Sequence, residues 1–358
     1  MDARPNVFGM DRPALERLAR DLGEPPYRAG QLYSWLYRRR VRAIEEMTDL
    51  SRALRGTLRA GHDLRWPEAV ERSQSRDGTI KYLFRLDDGA TIESVYIPEE
   101  RRRTICISTQ AGCPLKCAFC LTGIAGYKRN LKPWEILGQV ATVMAKAPPE
   151  RKAWNIVVMG MGEPLLNYEA TVHALRILMD PEGFAVAPKK LTLSTVGILP
   201  ALEKLMQEPV RPNLAISLHA PNARLRGELM PIEQKYALED VIAAARRYPI
   251  PHGGMVTYEY VLLSGVNDSS SHARELVRLL RGSRAKVNLI PLNPAPDIPF
   301  RPPTKQAVDE FAGILAEAHV TVSVRRQRGQ DILAACGQLH LKQGWPGREP
   351  VAAPQPRP

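Results

Sequence analysis

From Arg103 onward the sequence alternates short runs of strand-like residues with longer segments of helical period, and this alternation limits the fold more than any other feature. The strand-like runs are Arg103–Ser108, Asn155–Met159, Lys190–Thr195, Asn213–Leu218, Met255–Leu263, Lys286–Ile290 and His319–Arg325. Helical patterns between them include Trp134–Ala145, Tyr168–Met179, Ala237–Arg247, Ser269–Leu280 and Thr304–Ala318. Strands that alternate with helices imply right-handed crossovers and a parallel sheet. The result is an α/β fold of roughly six units. It is either a curved partial barrel or an open doubly wound sheet, and no GxGxxG follows the first strand to favour the dinucleotide-binding form.

Two smaller regions precede this part. Residues 1–65 read as a helical unit. Asp11 with Arg12-Pro13-Ala14 has an N-cap and early-Pro signature, and Leu15, Leu18 and Leu22 mark one apolar face. A second helix is expected near Tyr27–Tyr37 and a third near Ala43–Leu58. Residues 66–98 read as short antiparallel strands, with Asp77-Gly78 and Asp87-Asp88-Gly89 at the turns. Residues 99–344 form the core, and the Pro-rich stretch 345–358 is expected to be disordered.

Within the core, Cys113, Cys117 and Cys120 put three thiols on eight residues, spaced C-x3-C-x2-C, in a loop after the first core strand. A zinc site would need a fourth ligand, and His219 or His173 could supply it. A [4Fe–4S] cube on three thiolates instead leaves one iron for a small molecule. Chemistry in barrels of parallel strands collects at the carboxyl ends of the strands. Met159-Gly160-Met161-Gly162-Glu163-Pro164, Ser194, Ser217-Leu218-His219 and Asn293 all fall there. Gly160 and Gly162 would let backbone approach a ligand closely. Glu163 could hold an ammonium group, while Ser194, Ser217 and Asn293 offer hydrogen bonds. His219 could equally be a satisfied histidine at a strand end. Cys106 is expected to point into the barrel if Ile105 and Ile107 pack outward, and Cys336 lies in a Gly-flanked segment able to reach the same rim. Buried cysteine is otherwise a small hydrophobe.

Charge and composition bear on partners. Lys+Arg number 50 against 38 Asp+Glu, a net charge of +12, which points to nucleic acid before membrane, although a GC-rich genome would also inflate Arg. Arg38, Arg39, Arg40 and Arg42 adjoin Tyr33, Trp35 and Tyr37, a pattern suited to RNA if the rings take bases, or to a solvated face if the rings are core. No signal peptide or membrane-length apolar run is present, and free thiols fit a reducing compartment, so a cytoplasmic protein is expected.

The residues also carry a family resemblance. The Cys113–Cys120 loop with Phe119 before its last cysteine resembles the radical S-adenosylmethionine (SAM) superfamily. The runs Asn155–Asn167, Ser217–Asn222, Asn288–Pro294, Arg328–Gln338 and Tyr27–Tyr33 resemble its RlmN branch of RNA methyltransferases. The resemblance implies a partial (β/α)6 TIM-like barrel with a small N-terminal helical domain and short β-hairpin strands. It implies methylation at C2 of adenine in 23S rRNA and tRNA; the related C8-methylating branch and a non-catalytic Fe–S or zinc RNA-binding protein are the alternatives. Cys113, Cys117 and Cys120 would hold one [4Fe–4S] cluster. Gly162, Glu163, Ser194, Ser217, Leu218, His219 and Asn293 would bind SAM, two molecules being used per turnover. Cys336 would become methylated, and a 5′-deoxyadenosyl radical would take hydrogen from that methyl so that it adds to C2. Glu93 would accept the C2 proton, and Cys106 would release product through a transient disulfide with Cys336. A low-potential donor such as flavodoxin or ferredoxin and a monomeric state are also implied. Val196 and Leu121 depart from the family pattern, which has Ser and a small residue there.

Overall fold

Asp11 opens the first helix as expected, its carboxylate accepting from the Ala14 amide at 2.9 Å. In the computed structural model, which describes residues 4–148, 152–250, 254–295, 297–335 and 337–339, α1 runs Arg12–Asp21 and α2 runs Tyr27–Tyr33. Cys336 and the Pro-rich tail lie outside the described residues. The helical path of α2 continues over Ser34–Arg39 with π-type hydrogen bonding and stops at Arg40, which is left-handed at φ 56°. The expected helix over Ala43–Leu58 is instead a single 3-10 turn, Ile44–Glu46, followed by α3, Arg52–Gly61. Ser51 is the reason: its hydroxyl accepts from the Leu54 amide at 3.1 Å, which caps a new helix rather than continuing an old one.

Tyr33, Trp35 and Tyr37 are buried. Tyr37 packs its ring against Phe8 and Phe184, and the Tyr33 hydroxyl donates to Asp180. These rings therefore belong to the core, and base stacking on them is ruled out. Arg38, Arg39 and Arg42 remain exposed, Arg39 lying over the Trp35 ring at 3.8 Å.

The remaining elements follow in order. An antiparallel meander of β1 (Glu68–Gln74), β2 (Ile80–Arg85) and β3 (Thr91–Pro98) leads to β4 (Arg103–Cys106). A short ribbon, β5 (Gln110–Gly112) and β6 (Tyr127–Asn130), brackets α4 (Leu121–Ala125) and precedes α5 (Pro133–Lys146). Strands and helices then alternate as β7 (Trp154–Val158), α6 (Tyr168–Met179), β8 (Leu191–Thr195), α7 (Leu199–Met206) and β9 (Asn213–Ser217). After β9 come α8 (Ala223–Leu229), α9 (Leu238–Arg247), β10 (Val256–Leu262), α10 (Ser270–Leu280), β11 (Ala285–Pro291), α11 (Lys305–Glu317) and β12 (Thr321–Val324).

Among the described residues one ten-stranded sheet runs β1-β2-β3-β4-β7-β8-β9-β10-β11-β12. From β4 to β12 each strand pairs in parallel with its successor, so strand order never reverses. A doubly wound sheet needs such a reversal, and this one is a partial barrel. Its two ends meet through the turn after β1 and the segment after β12. Asp77 accepts from the Gly329 amide at 3.1 Å, and Asp331 accepts from the Arg76 amide at 3.2 Å.

Alternation along the strands decides what faces inward. Ile105, Ile156, Leu191, Leu193, Leu214, Ile216, Val287 and Leu289 are fully buried, as expected for the face covered by helices. Thr104, Asn155, Thr192, Ser194, Ser217, Asn288 and Ser323, on the other face, are only partly buried. A polar lumen of this kind is a place to hold a ligand rather than a sealed core.

Candidate active site

Three polar clamps fix the cysteine loop. Gly112, at φ 83°, brings its backbone so close to the Gly126 carbonyl that a Cβ would lie 2.0 Å from that oxygen, and Cys113 donates to the same carbonyl at 2.7 Å. On β6, Arg129 bonds the Glu135 carboxylate through two nitrogens at 2.8 Å and also pairs with Asp88 at 2.8 Å. Its guanidinium holds the Asp88 carboxyl well below the usual range. On the far side the Ala118 amide donates to the Leu229 carbonyl at 3.0 Å, at the end of α8.

The three sulfurs line one cleft at the carboxyl ends of the strands, enclosing about 940 Å³ of empty space partly open to solvent. Gly162, Glu163, Ser194, Ser217, His219 and Asn293 line it too. Burial pushes the Cys113 thiol up to about 12 and also raises the Cys117 thiol well above its ordinary value, with the buried Arg226 guanidinium opposing the rise at Cys117. Neutral thiols in a dry wall become ligands only when a cationic centre compensates for the lost protons.

The donor set fits a cluster better than a single zinc ion. Among the described residues no three Cys, His, Asp or Glu side chains gather closely enough to hold one metal ion, whereas a cube spreads its thiolates over separate irons. Both candidate fourth ligands are engaged elsewhere. His173 donates through Nε2 to the Gly9 carbonyl at 2.7 Å, in the packing between α6 and the N-terminal unit. His219 accepts from the Val261 amide at Nδ1 at 3.0 Å and sets its ring edge-on to Phe119, centroids 4.7 Å apart.

Glu163 is buried and held from three sides. Its carboxylate accepts from the Leu165 amide at 3.0 Å, the Thr195 hydroxyl at 2.6 Å and the Val196 amide at 3.0 Å. Burial nevertheless pushes it up to about 7, so a cation seated in the cleft would relieve a real cost. Because Val196 works here through its backbone, the departure from Ser leaves the Glu163 clamp intact.

Gly160 and Gly162 line the cleft and are also closely packed from beneath. A Cβ on Gly162 would meet Gln110 at 2.5 Å, and one on Gly160 would meet the Ile107 carbonyl at 2.7 Å. Both glycines are required by the chain's own close packing under the cleft. Leu218 is fully buried and does not line the cleft. Its amide donates to the Glu259 carbonyl at 3.0 Å and its carbonyl accepts from Ala220 at 2.8 Å, so its part is to shape the strand end. Sequence reasoning passed over Glu259, Arg325, Leu115, Met230, Val261 and Leu292, which complete the wall. Glu259 was hidden inside an apolar strand, where it accepts from Asn288 at 2.7 Å.

Glu93 and Cys106 share one face of the sheet. Val95 pairs with Cys106 across β3 and β4, and Glu93 lies two residues before Val95. Both are buried. Cys336 is not described, but its neighbours are. The Gly337 carbonyl accepts from the Leu121 amide at 2.8 Å, directly after Cys120, and the Leu339 carbonyl accepts from Thr122 Oγ1 at 2.6 Å. The Ala335 amide donates to Gln338, whose own amide donates to the Pro294 carbonyl at 2.9 Å. The segment on either side of Cys336 is thus anchored against the cysteine loop and the rim.

His219 yields a pH prediction. Burial, aided by Arg226, pushes the imidazole down to about 3, so the folded chain binds fewer protons than the unfolded one between that value and the ordinary 6.5. This contribution to stability is complete above pH 6.5 and is lost as pH falls toward 3. The cost accrues at up to about 1.4 kcal/mol per pH unit. His219→Asn, which suits the left-handed φ of 59° at this position, is expected to show a shallower loss in urea melts between pH 6 and 4. Identical slopes would show that His219 does not carry it.

Comparison with known proteins agrees with this geometry. Residues 107–280 match the family model of the Radical SAM superfamily, and residues 5–62 match that of the ribosomal RNA large subunit methyltransferase N-terminal domain. The chain is 47% identical over 339 residues to the dual-specificity RNA methyltransferase RlmN of Syntrophus aciditrophicus (strain SB), covering 95% of this chain and 97% of that one. It is 44% identical over 340 residues to the protein of the same description from Marinobacter nauticus, covering 93% and 92%. A crystal structure of a radical SAM methyltransferase from Sphaerobacter thermophilus superposes with a TM-score of 0.88 at 43% identity, covering 94% of this chain and 99% of that one.

Proposed function

We propose, from the premise that this chain belongs to the RlmN family of radical SAM methyltransferases, that it methylates C2 of adenine in both 23S rRNA and tRNA through a methylated Cys336. The observation that carries this reading is that Gly337 lines the cleft and its carbonyl accepts from the Leu121 amide, directly after Cys120.

A reduced [4Fe–4S] cluster with bound SAM supplies one-electron chemistry, which adenine C2 requires because it has no lone pair to attack a methyl group. Cys113, Cys117 and Cys120 would hold the cluster. Glu163, in its buried cradle, is placed for an ammonium group. Ser194 and Ser217, whose hydroxyls are 3.3 Å apart, offer a paired contact for a ribose or carboxylate. Asn293 bonds Gln330 through Oδ1 at 3.1 Å and keeps its amide group for the ligand. His219, neutral and fixed at Nδ1, presents Nε2–H as a donor and closes the wall against Phe119. Gly162, in the cleft wall, would meet the ligand through its backbone, and Leu218 shapes the strand end behind it. Glu93 accepts the C2 proton, and Cys106 attacks the Cys336 sulfur to free the base.

Two SAM molecules per methylated base, a flavodoxin-like or ferredoxin-like electron donor, a monomer and a cytoplasmic setting complete the proposal. Among the described residues no helix is long and apolar enough to cross a membrane. Anaerobically reconstituted protein, given SAM, reductant and unmodified 23S rRNA or tRNA, is expected to yield 2-methyladenosine from both on nucleoside mass spectrometry. Formation of 8-methyladenosine, or of no methylated nucleoside despite SAM cleavage, would overturn the assignment.

A further inference from the structure

Lys81 projects from β2 into the protein and is 4% exposed, an unusual place for an ammonium group. Its Nζ lies 2.9 Å from Glu93 Oε1 and donates to the Leu333 carbonyl at 3.1 Å. Glu93 is itself 1% exposed, and its backbone is fixed on both sides. Its amide donates to the Met161 sulfur, in the loop that leads to Glu163, and its carbonyl accepts from Ser108 Oγ at 2.6 Å. Leu333, left-handed at φ 51°, lies three residues before Cys336. One cation therefore touches both the side chain read as the proton acceptor and the backbone that carries the methylated cysteine.

A buried carboxylate and a buried ammonium are each costly to desolvate, and the pair is tolerable only when both are well hydrogen-bonded. The register supplies the rest of the argument. Lys81 stands opposite Val95, and Val95 stands opposite Cys106, so the two side chains flank Val95 on one face. A purely structural pair would not need to share that face with the resolving thiol, nor to bind the loop after β12.

We propose that Lys81 is a positioning residue for proton removal, fixing Glu93 and the Cys336 segment in one relative placement. The proposal rests on the roles given above to Glu93 and Cys336. Lys81 holds the carboxylate as an acceptor and restrains its rotation, while the Leu333 carbonyl stops the ammonium from swinging away.

The test follows the covalent protein–RNA adduct on denaturing gels, with methyl transfer to Cys336 measured separately by mass spectrometry. Glu93→Gln is expected to slow adduct release about a hundredfold or more. Lys81→Met should leave Cys336 methylation within about threefold yet slow release at least about tenfold, and Lys81→Arg should recover much of it. Lys81→Met strands a buried carboxylate and risks misfolding. The double variant Lys81→Met/Glu93→Gln removes both charges and should release no more slowly than Glu93→Gln alone, because Lys81 acts through Glu93. Amide exchange across residues 333–339 of the apoprotein should rise in Lys81→Met. Normal release in folded, iron-loaded Lys81→Met, or a double variant clearly slower than Glu93→Gln, overturns the role of Lys81. Normal release in Glu93→Gln instead removes the proton acceptor, and the Lys81 proposal with it.

Discussion

Replacing Cys117 with alanine is expected to abolish iron incorporation and RNA methylation together, the latter falling by at least about a thousandfold, or about 4 kcal/mol in the barrier. Burial raises the Cys117 thiol well above its ordinary value, and Arg226 is the cation that favours its thiolate. Two thiolates on so short a loop leave two irons without protein ligands, and a cube held that way is not expected to survive purification. The fold should remain, because the loop is fixed by other groups. Arg129 joins Asp88 to Glu135, the Ala118 amide bonds Leu229, and the Leu121 amide bonds Gly337. Far-UV dichroism and the apoprotein melting curve should therefore be close to wild type, while iron and sulfide content and the visible chromophore vanish. A variant that keeps a full iron complement would show that these cysteines do not hold the cluster.

Much of this site could be read directly from residue order. Strong local patterns marked the parallel strands, since Ile105 and Leu193 sit between more polar neighbours and amphipathic helices such as α6, α9 and α10 recur between the strands. Their carboxyl ends carried Glu163, Ser194, Ser217 and Asn293 into one cleft because parallel strands all end on the same side. Features that depend on distant partners were not legible. The β5–β6 ribbon has strands of three and four residues, too short for period two to register, and only the Cys113–Gly126 bond and Arg129 reveal its role. Helices α7 and α8 are eight and seven residues long, shorter than a helical period needs to declare itself. At Gly160 and Gly162 the need for close backbone approach was legible, but the packing partners Ile107 and Gln110 across the sheet were not. Interleaved arginine and aromatic residues in the N-terminal unit could be read two ways, and burial of Tyr33 and Tyr37 decides for core. The Lys81–Glu93 pair was invisible for the same reason, since an isolated Glu on an alternating strand is usually solvated.

Changing Cys336 to alanine should leave the cluster and SAM binding intact but stop transfer to RNA, whereas changing Cys106 to alanine should stop the reaction one stage later. Cys106 is fixed on a central strand, 6% exposed, with Ile105 and Ile107 fully buried behind it and Val95 opposite. On either side of Cys336 the chain is held by the Leu121, Thr122, Pro294 and Lys81 contacts. A carrier must move between methyl donor and base, while a resolving thiol must wait in one place. Cys106→Ala should therefore accept a labelled methyl on Cys336 at a rate within about threefold of wild type, then accumulate a protein–RNA adduct whose release is slowed at least about a hundredfold. Cys336→Ala should form no adduct at all and lose at least about a thousandfold in methylation. If each release leaves a Cys106–Cys336 disulfide, wild-type turnover should also need an external thiol to reduce it before the next cycle. If Cys106→Ala turns over normally without adduct, another nucleophile resolves the intermediate. If Cys336→Ala still methylates adenine, the methyl group never passes through the protein.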